Sequence, residues 1–185
     1  AASEENGRGH LVITAPTGGS AGVMPSLVYG LMEVRKVDRQ KIRDGMLAAA
    51  AVGYLCKHHA TLSAAEGGCQ AEIGVASSMA AALTATAYDA PALVVENAAE
   101  SALEHHLGMT CDPVAGYVQV PCIERCAFGA VKAWTAYAIA SNEIASRHRV
   151  GFDETVIALA QTAKDMNGKY KETSEAGLAQ SVTLC

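Results

Sequence analysis

The chain has 185 residues, half of them hydrophobic but only 5% aromatic, and a net charge of −5 from 14 basic and 19 acidic side chains. That length suits one compact domain with its own core. The absence of any basic run or stripe argues against a nucleic-acid partner. The longest apolar run, Met46 to Cys56, is too short to span a bilayer. No charged-then-apolar signal opens the chain, so the expected setting is cytoplasmic, without a membrane partner. The first residues are Ala1-Ala2-Ser3 rather than Met, which reads as a chain that is processed, excised or missing its start.

Alanine dominates the apolar content, and its high helix propensity and small volume predict closely packed helices. His10 to Pro16 is a short β-branched opening segment, and Thr17 to Gly22 is a turn. A first helix runs through Met24 to Val34, with Pro25 tolerated in its first turn. Asp38 can cap a second helix reaching about His58. Glu66 to Gly74 leads into a small-residue helix ending near Tyr88. Asp89 and Pro91 predict a capped helix that stops at Gly108. After a loop, a long helix is expected from about Cys122 to Arg149, closed by Gly151. Asp153 is read as the cap of a last helix to about Tyr170, followed by an irregular tail. Six helices with short links give an all-α class in a single domain.

Chemistry-bearing residues cluster in a few places. Cys69, Cys111 and Cys122 are spaced C-x41-C-x10-C. Zinc sites pair their ligands two to four residues apart, and no C-x-x-C motif is present. Spacing by itself favours ordinary buried thiols over ligands. Yet all three lie in or beside Gly/Pro-rich turns that suit thiolates converging from different elements. Cys126 shares a helical face with Cys122, as a co-ligand or as core. The turn Thr17, Gly18, Gly19, Ser20 precedes a helix, where backbone N–H groups bind anions. No lysine follows Gly22, so a carboxylate fits this turn better than a triphosphate. The plain alternative is a helix-leading turn. His58-His59 and His105-His106 are adjacent pairs that cannot chelate one ion together. Glu66 precedes two glycines and sits one turn from Cys69, either for chemistry or as a helix-terminal charge.

Together, "APTGGSAGVMPSLVYG", "HATLSAAEGGCQAEIGVASSMAAA", "EHHLGMTCDPVAGYVQVPCIERCAFGAVKA" and "KDMNGKYKETSEAGLA" resemble the α (catalytic) domain of bacterial iron–sulfur-dependent L-serine dehydratases, also called L-serine deaminases. The resemblance runs from about Asn6 to Cys185. It implies a 4Fe–4S cluster held by Cys69, Cys111 and Cys122, with the fourth iron open to substrate, and a Thr17–Ser20 turn that helps hold L-serine. Ser63, Glu66, His105 and His106 lie in matched segments and are the candidates for moving the α-proton. Cys185 matches a family tail that tends to end near a cysteine, and is read as a displaceable fourth ligand. The family commonly has Asn at position 59, Gly at 64 and Asn at 126, where this chain has His59, Ala64 and Cys126, so Cys126 is not expected to be a general cluster ligand.

The resemblance further implies that residues 1–185 are a catalytic-domain portion, with an upstream β domain and the first part of the α domain lying outside this sequence. It implies a homodimer when complete, and activity that the portion alone need not show. It implies that an open iron would supply Lewis-acid help to a departing hydroxide, the products being aminoacrylate and then pyruvate and ammonia. Pyridoxal phosphate, the other usual route, is not expected, because no lysine lies in a convincing Schiff-base setting. Threonine as substrate, or a non-catalytic iron–sulfur sensing module, stays open at this level.

Overall fold

The computed structural model describes residues 1–182. Those residues form nine α-helices and no strand, so the all-α reading holds. The six predicted helices are the six of seven residues or more: α2 (Val23–Tyr29), α3 (Arg39–His59), α5 (Val75–Ala87), α6 (Ala92–Glu104), α7 (Cys122–Asn142) and α8 (Phe152–Asp165). Three shorter ones, α1 (Ala2–Gly7), α4 (Ala64–Gly67) and α9 (Leu178–Ser181), complete the set. No helix among the described residues is long and apolar enough to cross a membrane.

Helix α5 is the axis of the molecule. Its alanines, Val75, Met79 and Leu83 are buried on every side, as expected of a helix apolar all round. Helices α3, α6 and α7 pack around it, with α2 against its start. Close approach depends on missing side chains. A Cβ on Gly45 of α3 would lie 2.6 Å from the Leu83 carbonyl oxygen, so the two backbones nearly touch there. The hydroxyls of Ser77, Ser78 and Thr84 donate to the carbonyls of Gly129, Ala99 and Ala80, which removes the cost of burying them.

Local signals place several boundaries correctly. Asp38 caps α3 by accepting from the Gln40 N–H at 2.7 Å, and Pro25 sits in the first turn of α2. Other boundaries need correction. Helix α7 ends at Asn142, not Arg149, because Glu143 turns extended and its carboxylate is held by Asn97 and His148. Helix α6 starts after Pro91 and ends at Glu104, short of Gly108; Asp89 pairs with Lys41 instead of capping it. Gly151 precedes α8, Asp153 lies inside its first turn, and Met166 leaves the helix well before Tyr170. The tail is mostly irregular, as expected, apart from α9, but it is tied down. Tyr170 and Glu172 pair with the Cys111 backbone, and the Leu178 N–H donates to Asp112 at 2.7 Å.

Candidate functional site

The predicted cysteines converge at the start of α5 and of α7. Cys69 precedes a π-helical turn, Gln70–Gly74, that runs into α5. Cys122 opens α7, and Cys111 sits in the loop before it. That loop is closed by a short turn at Val114–Gly116 and by the Val114 N–H donating to Val120. From the other side, the Cys111 N–H donates to Tyr170 and its carbonyl accepts from Glu172, both at 2.8 Å. All three thiols are buried.

The electrostatics of the trio are uneven. The Cys111 thiol lies beside Cys69 and favours the thiolate there. This, with Arg125, holds the Cys69 pKa below that of an ordinary thiol, despite burial. Cys111 is raised as the donor of that pair, and burial pushes Cys122 up to about 12. Arg125 Nη1 donates to Cys69 Sγ at 3.4 Å and to the Thr110 carbonyl at 2.8 Å. Its Nη2 pairs at 2.8 Å with the buried carboxylate of Asp112. Burial works against the guanidinium, but Cys69 and Asp112 outweigh it and the Arg125 pKa rises.

The Thr17–Ser20 turn lies against the same mouth. Thr17 Oγ1 donates to Glu72 Oε1 at 2.5 Å, and Ser20 Oγ donates back to the Thr17 carbonyl at 3.2 Å. Gly18 lies beside the Asn6 side chain, and Cys126 Sγ donates to the Gly19 carbonyl at 3.3 Å. Burial raises the pKa of Glu72, against the opposing pull of Thr17. Beyond Cys126 lies a cavity of about 620 Å³, lined by Ser3, Gly22, Pro25, Tyr29 and Ile123 among others.

The proton-transfer candidates are scattered. Ser63 is half-buried before α4, its N–H donating to Thr61 Oγ1; Glu66 is exposed and accepts from the same Thr61. His105 is exposed in the groove between α6 and α7, where Lys132 donates to its carbonyl. His106 is buried, and burial lowers its pKa to about 4. Its Nδ1 donates to the Ala102 carbonyl at 2.6 Å, and its Nε2 has no protein partner among the described residues. His58 and His59 stack edge to face on the exposed end of α3. Cys185 lies outside the described residues.

Arg125, Asp112 and Glu72 were not singled out from sequence. Only one signal pointed to them: each falls one turn or less from a candidate cysteine. As a donor set, three buried thiols from separate segments fit a cluster whose thiolates each take a different iron. Three His, Cys, Asp or Glu side chains poised on a single ion do not occur among the described residues, a separate geometry from that of a cluster.

An all-α scaffold with converging thiols at two helix starts is thus a distinct class of site, and comparison with known proteins names its family. A family model for the serine dehydratase alpha chain matches residues 1–179. The chain is 50% identical over 184 residues to an L-serine dehydratase of Helicobacter pylori (strain ATCC 700392 / 26695), covering 98% of this chain and 40% of that protein. It is 48% identical over 186 residues to L-serine dehydratase 2 of Escherichia coli (strain K12), covering 100% of this chain and 41% of the relative. Against an L-serine dehydratase of Streptomyces coelicolor the identity is 46% over 186 residues, again 100% and 41%. The chain belongs to the serine dehydratase alpha chain family. It spans about two-fifths of the length of these relatives.

Proposed function

We propose that this chain is the iron–sulfur portion of an L-serine dehydratase, converting L-serine to pyruvate and ammonia by way of aminoacrylate. The observation that carries the reading is the convergence of Cys69, Cys111 and Cys122 beside the Thr17–Ser20 turn, in a family whose named relatives are L-serine dehydratases. Those three thiols are the residues that would hold a 4Fe–4S cluster. When bound, the cluster supplies Lewis-acid chemistry at an iron without a protein thiolate, which eases loss of a hydroxide.

The chain's own residues do the rest. The turn offers backbone N–H groups to a carboxylate, its Thr17 hydroxyl being engaged with Glu72. Cys111 and Arg125 favour the thiolate form of Cys69, and Arg125 ties it to Asp112, so this ligand gives up its proton more readily than an ordinary thiol. N–H···S contacts of this kind tune such clusters. Ser63, Glu66, His105 and His106 form the set proposed for proton abstraction, and full turnover after replacing any one of them removes it. Pyridoxal phosphate is not part of the reading; an imine absorbance on adding it would count against the proposal.

The test is anaerobic reconstitution with iron and sulfide, then L-serine. Iron bound in proportion to intact cysteines, a spectrum that shifts with L-serine, and pyruvate release by the enzyme with its further domains support it. Failure to bind iron, or a bound cluster blind to L-serine, would sink it.

A further inference from the structure

Two helical elements reach Gly19 of the Thr17–Ser20 turn. Glu72 accepts from Thr17 Oγ1 at 2.5 Å, and the Gly19 N–H is turned toward its carboxylate. From the opposite side Cys126 Sγ donates to the Gly19 carbonyl at 3.3 Å. Glu72 stands three residues after Cys69, and Cys126 four after Cys122, so each projects about one turn beyond a cysteine of the trio. The turn is strung between the elements that carry two of the three thiols.

The fit is tight. A Cβ on Gly19 would lie 2.5 Å from both Glu72 carboxylate oxygens, and one on Gly22 would lie 3.0 Å from Cys126 Cβ. Glycine at 19 is what lets the Glu72 carboxylate come this close. The turn's own bonds, Ser20 to Thr17 and Thr14 to the Ala21 carbonyl, shape it but do not fix its distance from the thiols. Burial raises the Cys126 pKa, which keeps its thiol a donor.

We propose that Glu72 and Cys126 are positioning residues, clamping Gly19 so that the turn presents its carboxylate site at a fixed distance from Cys69 and Cys122. The inference rests on the turn being the L-serine carboxylate site of the preceding section. A loosened turn visits its binding arrangement less often, and apparent affinity falls by that fraction.

The experiment uses the full chain with any further domain it naturally carries, reconstituted with iron and sulfide. Glu72→Ala and Cys126→Ala should each raise the KM for L-serine roughly tenfold, the effect of losing one contact to a charged group or its equivalent in order. Turnover number and cluster absorbance should stay within roughly twofold. Glu72→Gln keeps an acceptor oxygen and Cys126→Ser keeps a donor, and both should recover most of the affinity. Unchanged KM in both alanine variants overturns the clamp, as does loss of cluster absorbance in step with activity. Amide hydrogen exchange across residues 17–22 gives a reading that needs no turnover. Faster exchange in both alanine variants supports the clamp and unchanged exchange overturns it, even if the wild-type enzyme releases no pyruvate and the functional reading itself fails.

Discussion

The surroundings of α5 and the cysteine mouth at its start are held by different forces. Around α5 the contacts are alanine, valine and leucine against backbone, and its three buried hydroxyls are satisfied locally. Nothing on that helix titrates. At the mouth, a few ångströms decide between a thiol and a thiolate, and Cys111, Arg125 and Glu72 set the balance at Cys69. The difference separates shape from charge: one region should ignore pH and feel a single methyl group, and the other should do the reverse.

The largest effect is expected where charge is buried. Arg125 and Asp112 are only 17% and 4% exposed. Arg125→Ala leaves Asp112 without its partner and should cost roughly 3–5 kcal/mol in urea unfolding, while Arg125→Lys, lacking the planar fork, recovers only part. A loss well under 1 kcal/mol would mean that shape governs the mouth too. Next comes the core. Gly45→Ala forces a Cβ to 2.6 Å from the Leu83 carbonyl and should cost about 1–3 kcal/mol, equally at pH 6 and pH 8. A pH-dependent loss would break the contrast from the other side.

Smaller effects sharpen it. In metal-free protein the thiolate absorbance should show a step below the ordinary thiol value of about 8.5. Cys69→Ser should erase that step, and the Cys122 contribution should stay near 12. A single shared step for all thiols would show no asymmetry. The smallest effect concerns a second charged corner, where His148 pairs with Glu100 and Glu143 at 2.8 and 3.0 Å. Burial there opposes the charge, but the two carboxylates prevail and the His148 pKa is raised above 6.5. Its stabilisation is therefore complete below about pH 6.5 and fades as pH rises through the higher folded value. The urea midpoint should fall modestly from pH 6 to pH 8, and less so in His148→Gln. Parallel curves for the two proteins would remove this corner from the charged class.

Much of the scaffold was legible because its causes are local. Asp38 caps by reaching two residues ahead, and the alanine-rich run of α5 is buried whatever surrounds it. The misplaced boundaries have distant causes. Nothing near Asn142 announces a stop; Asn97 and His148 impose it by holding Glu143. The same holds at the site. The cysteines stood out as residue types, but spacing left their grouping ambiguous, and it was the family resemblance that joined them. Glu72 finds its partner 55 residues away at Thr17, a pairing no local pattern encodes. Asp112 is half hidden in the quoted loop motif, and its role as a hub for Arg125 and Leu178 needs the folded tail.

That tail has a consequence in time. Both backbone partners of Cys111 are Tyr170 and Glu172, roughly 60 residues further along, which synthesis at about 5–20 residues per second reaches some ~3–12 s later. Cys69 and the π-helical turn exist well before then. The pairing that holds the Cys111 backbone therefore cannot form until residues 170–172 have been made, well after Cys69 and Cys122.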